Sequence, residues 1–81
     1  MGLALGFPDL FIPVPRGIFH GMFIEMKRQK GGSVSDEQMF WLSTLTGMDY
    51  WSMVACGATE AIESIDKYMK LHQNWGKKWD L

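Results

Sequence analysis

Pro8-Asp9-Leu10-Phe11-Ile12-Pro13-Val14 and, beyond the turn-rich Pro15-Arg16-Gly17, Met22-Phe23-Ile24-Glu25-Met26-Lys27 decide how this chain folds. Both runs are rich in large apolar residues and are separated by turn formers, which is the pattern of a β-hairpin. Folding them back about a centre near Gly17 brings Asp9 to within a residue or two of a position opposite Glu25 and Lys27. Side chains alternate between faces along a strand, so Glu25 and Lys27 share a face. Two acids and one base therefore meet at one end of a sheet. Carboxylates so placed suit a hard divalent cation such as Mg²⁺, which takes oxygen ligands and keeps several waters. A lysine ammonium binds no metal, but it can orient or help deprotonate a water and offset charge that develops on a phosphate under attack. Taken alone, three such residues are more often surface charges on a hairpin than a site.

The rest of the chain reads as helix, strand, helix. Ser35 with Gln38 three residues later fits a capping box, and Met39, Leu42 and Leu45 follow at helical spacing until Gly47. Gln38 thus has two readings, half of a cap or a contact at the site. Tyr50 to Cys56 suits a buried third strand closed by Gly57. Thr59 is placed to cap a final helix whose apolar stripe is Ile62, Ile65 and Met69. One domain is expected over residues 1–72, with an aromatic and basic tail over 73–81.

Composition narrows the function classes. An 81-residue chain has room for one small core, which is marginal without metals, disulfides or oligomerisation. Cys56 is the single cysteine, so a disulfide framework and a Cys/His zinc cluster are both excluded. It is read as a small apolar residue at a strand end, and the default compartment is a reducing cytoplasm. No apolar run is long enough to span a bilayer and the start lacks a signal-peptide pattern, so no membrane association is expected. The net charge is −1, with Asp36, Glu37, Asp49, Glu60, Glu63 and Asp66 forming an acidic middle between more basic ends. Such a chain is no polycation, and any nucleic-acid contact must be local. Arg16, Arg28 and Lys30 are candidates for phosphates around the hairpin, with Lys67, Lys70, Lys77 and Lys78 behind them. His20 is read as a polar hairpin residue or a substrate contact, and His72 as solvated. Trp75 and Trp79 among lysines suit a contact with another chain or stacking on single strands.

Gly6-Phe7-Pro8-Asp9-Leu10-Phe11, Pro13-Val14-Pro15-Arg16-Gly17, His20-Gly21-Met22-Phe23-Ile24-Glu25-Met26-Lys27 and Ser35-Asp36-Glu37-Gln38, with Trp41-Leu42 and Leu45, together resemble the virus-type replication-repair nuclease (VRR-NUC) domain. That family belongs to the PD-(D/E)xK nuclease superfamily. The resemblance implies a small α/β nuclease core in which Asp9 and Glu25 hold Mg²⁺ or Mn²⁺, with the Met26 carbonyl as a further ligand. Lys27 matches the catalytic lysine, and Gln38 matches the glutamine of the following helix. Family members normally begin with a helix carrying a further glutamate, and no acidic residue precedes Asp9 here, so the expected core lacks that N-terminal helix. The implied activity is hydrolysis of phosphodiester bonds in DNA by a homodimer selective for branched structures such as four-way junctions, in a bacterium or a virus-infected host cell. The alternative is a non-catalytic module that keeps the fold and serves in nucleic-acid binding or in assembly.

Overall fold

The computed structural model describes residues 5–28 and 32–73. Its elements are β1 (Leu10–Ile12), β2 (Met22–Lys27), α1 (Asp36–Gly47), β3 (Trp51–Cys56) and α2 (Ala58–Met69). The strands form one sheet in the order β1-β2-β3, with β1 antiparallel and β3 parallel to β2. Parallel neighbours need a crossover, which α1 supplies between β2 and β3.

Register follows from the hairpin. Leu10 pairs with Ile24, Phe11 with Phe23 and Ile12 with Met22, so the fold-back is centred on Gly17. Gly17 has a φ of 55°, a left-handed conformation that costs a residue without Cβ little. Around it Arg16 and Phe19 exchange backbone hydrogen bonds of 3.1 and 2.8 Å.

Alternation along β2 divides the sheet into two faces. Met22 and Ile24 point to one side, where they join Ala55, Ala61 and Tyr68 in the buried core under α2. Phe23 and Glu25 point to the other, under α1, where Leu42 and Leu45 are buried. Tyr68 is fully buried and donates its hydroxyl to the Val14 carbonyl at 2.6 Å, tying α2 to the far end of the hairpin. Burial also pushes its phenol pKa up.

Several expectations are corrected in detail. The third strand begins at Trp51, because the Tyr50 N–H still bonds to the Leu45 carbonyl at the exit of α1. It is also less buried than expected, since β3 forms one edge of the sheet; Cys56 at its end is exposed. Thr59 does not cap α2. Gly57 is the N-cap, with a φ of 96° that the tight strand-to-helix turn requires. Met39 and Ile62, assigned to apolar stripes, are 53% and 66% exposed. α1 sits so that Leu42 and Leu45 reach the sheet, while Met39 only lines an open groove beside Ser43 and Val54. In α2 the buried positions are Ala61 and Tyr68 with Ile65 between them, and Ile62 lies off that line.

Candidate metal centre at the end of the hairpin

The ladder stops at Leu10, paired with Ile24. Carried on in the same register, the chain before it would set Asp9 opposite Glu25 and Pro8 opposite Met26. On β2, the Gly21 and Lys27 carbonyls accept from Trp51 and Gly57 at 3.0 and 3.1 Å, so the Met26 peptide groups face the β1 side. Proline has no N–H, hence no ladder donor stands opposite the Met26 carbonyl. The Met26 N–H donates instead to Asp9 Oδ2 at 2.8 Å. The proline-aspartate pair therefore lies just past the end of the ladder, with the Asp9 carboxylate bonded to the main chain of the neighbouring strand.

Glu25 is 4% exposed, the one buried charged side chain in the described core. Its Oε2 accepts from Gln38 Nε2 at 2.9 Å and lies 3.9 Å from Lys27 Nζ. Its Oε1 is buried with no hydrogen-bond partner. The Glu25 pKa is raised above 4.5, first by burial and then by the adjacent Asp9 carboxylate; Lys27 opposes this in part, and a hydrogen bond that protonated Glu25 can share with Asp9 adds to the rise. A buried acid crowded by a second acid, with one oxygen unsatisfied, is a donor set that a hard divalent cation would complete. The residues present fit Mg²⁺ or Mn²⁺ for that reason. Among the described residues no three or more His, Cys, Asp and Glu side chains gather, so the oxygens on offer are two carboxylates and the Met26 carbonyl.

Gln38 makes the cap and also touches Glu25. Its backbone N–H donates to Ser35 Oγ at 3.1 Å and its Oε1 accepts from the Ser35 N–H at 2.9 Å, completing the capping box. The same side chain reaches Glu25. Gly6, quoted in the motif without a role of its own, explains how the first turn of α1 comes so close. A Cβ there would stand 2.6 Å from the Glu37 carbonyl carbon and 2.7 Å from the Gln38 nitrogen, and the Gly6 φ is 82°. The glycine two residues before the proline was the available signal for this contact.

The other candidates fall elsewhere. Arg28 is exposed directly after β2, at the same end as Glu25 and Lys27. Arg16 lies at the opposite end of the hairpin, its guanidinium donating to the carbonyls of Met69 at 3.1 Å and Pro15 at 2.8 Å. His20 is at that end too, with its ring 5.6 Å from Tyr50 and its N–H on the Asp49 carbonyl. Lys30, Trp75, Lys77, Lys78 and Trp79 lie outside the described residues.

A hairpin with an acid just before its first strand and another on its second, a helix crossing over to a parallel third strand, and a glutamine returning to the second acid define a small nuclease-like α/β fold. The VRR-NUC domain model matches residues 1–59, and the chain belongs to that family. A solved structure described as a VRR_NUC domain protein is similar with a TM-score of 0.85 and 33% identity, over 89% of this chain and 59% of that one. The chain thus spans somewhat over half the length of that relative. No curated protein matches the sequence. No described helix is long and apolar enough to cross a membrane.

Proposed function

We propose that this domain hydrolyses phosphodiester bonds in DNA at the centre formed by Asp9, Glu25, the Met26 carbonyl and Lys27. The observation that carries the reading is Glu25 Oε1, a buried carboxylate oxygen with no partner, beside a second carboxylate. Retaining such a group without a ligand is unfavourable, so its presence argues for a cation in the working state.

Asp9 and Glu25 would hold Mg²⁺ or Mn²⁺, with the Met26 carbonyl as a third oxygen. When bound, the cation would supply Lewis-acid stabilisation of the scissile phosphate and lower the pKa of the attacking water. Lys27 shares the face of Glu25 and is placed to orient that water and to offset the charge that develops on the phosphate. Gln38 keeps Glu25 in a single orientation. Arg28 and Lys30, following the second strand, meet the flanking phosphates. A two-fold homodimer would bring two such centres to a branched substrate and cut opposing strands, which makes four-way junctions the favoured DNA.

The test is a cleavage assay on single-stranded, duplex, flap and four-way DNA with Mg²⁺ and with Mn²⁺. Metal-dependent cutting, fastest on the four-way substrate, is expected. Absence of cutting on every substrate with either metal overturns the reading.

A further inference from the structure

We infer that the N-cap of α1 is a positioning device for this centre, in which Ser35 turns the Gln38 amide so that its nitrogen, and not its oxygen, meets Glu25. The inference rests on the reading of Glu25 as a cation ligand. A glutamine amide has one accepting end and one donating end. The Ser35 N–H occupies the accepting end at 2.9 Å, which leaves Nε2 to face the sheet and donate to Glu25 Oε2 at 2.9 Å. A capping box takes glutamate as readily as glutamine at this place, but only glutamine can donate to a carboxylate. Gly6 pins the same turn, because its backbone lies where any Cβ would overlap Glu37 and Gln38. The result is a carboxylate with one oxygen fixed by the helix and the other, Oε1, buried and held ready for the cation. Ser35 touches neither substrate nor metal in this scheme. It acts through Gln38.

The experiment compares Ser35→Ala, Ser35→Pro and Ser35→Asp in the full chain. Ser35 has a φ of −73°, which proline adopts readily, so Ser35→Pro deletes the N–H and the hydroxyl together without a backbone clash at that residue. Ser35→Ala is the milder change, and Ser35→Asp restores a strong cap. The readouts are the Gln38 side-chain amide resonances in metal-free protein and the Mn²⁺ affinity by calorimetry. The proline variant should move those resonances toward exposed-glutamine values and weaken Mn²⁺ binding roughly tenfold, as loss of a hydrogen bond to a charged group implies. Ser35→Ala and Ser35→Asp keep the N–H that meets Gln38 Oε1, and should match the parent in both readouts. Resonances and affinity unchanged in Ser35→Pro, with only the melting temperature lowered, would overturn the inference. If the parent protein binds no Mn²⁺, the metal-centre reading fails, and the Gln38 resonances alone decide whether Ser35 positions the amide.

Discussion

Asp9 and Met26 are joined by a hydrogen bond from the Met26 N–H to Asp9 Oδ2 at 2.8 Å, just past the Leu10–Ile24 pair that ends the ladder between β1 and β2. One dipeptide thereby does two things: the proline withholds a donor from the Met26 carbonyl, and the aspartate takes the N–H that the missing pairing leaves. The Asp9 carboxylate is thereby fixed on the main chain of β2. Glu25, the residue before Met26 on β2, carries the second, buried carboxylate next to it.

Charge at the two acids should matter more than their shape. Asp9→Asn keeps an oxygen for the Met26 N–H, and Glu25→Gln keeps one for Gln38, so both variants should fold. Each should cut DNA slower by on the order of a hundredfold or more, since charge stabilisation in the transition state is lost. Rates measured beside thermal melts check this; parent-like rates from both variants would remove the acids from the site.

The raised pKa of Glu25 gives stability a definite pH dependence. In the window above 4.5 the folded protein keeps a proton that the unfolded chain releases, so ν_U is smaller than ν_N and stability falls as pH rises through it. Glu25 by itself should therefore favour the fold of metal-free protein less at pH 7 than below its unfolded range, and Glu25→Gln should raise the melting temperature at pH 7 but not below the unfolded carboxylate range. Saturating Mg²⁺ should recover stability in the parent by mass action and leave Glu25→Gln unmoved. Melting curves across pH, with and without Mg²⁺, report both effects.

Lys27 and Arg28 are neighbours with different expected signatures. Lys27→Ala should lower the cleavage rate strongly with DNA affinity little changed, if its ammonium, 3.9 Å from Glu25 Oε2, has the role proposed for it. Arg28→Ala should weaken binding and flatten the salt dependence by about one unit, the value of one phosphate contact. Single-turnover rates and binding at several salt concentrations separate them. Lys27→Ala losing affinity while keeping its rate would make that lysine a phosphate anchor.

At the other end of the hairpin, substitutions should act on stability. Tyr68→Phe removes the hydrogen bond to Val14 and should cost about 1 kcal/mol, whereas Tyr68→Ala empties the centre of the core and should cost about 3–5 kcal/mol. Arg16→Ala frees the carbonyls of Met69 and Pro15 and should cost about 1 kcal/mol. Denaturant unfolding measures all three.

The hairpin and its acids were legible because strand alternation and a turn at Gly17 fix register to within a residue, and the quoted motifs carry the family. The helix positions were less so. Met39 and Ile62 satisfy a helical stripe, yet a three-stranded sheet covers only part of each helix, and which part depends on packing that periodicity does not encode. Thr59 lost the cap to Gly57 because the turn out of β3 demands a positive φ. Gln38 could not be assigned from sequence because capping and contact with Glu25 use opposite ends of one amide, and only the approach allowed by Gly6 lets both occur.

The central claim is that Asp9 and Glu25 form one cation site, and calorimetric titration of Mn²⁺ into parent, Asp9→Asn and Glu25→Gln proteins tests it most directly. One site per chain in the parent, lost in both variants whose folds are intact by melting, is the result expected. Binding of equal stoichiometry and affinity in all three proteins, or none in the parent, would contradict it.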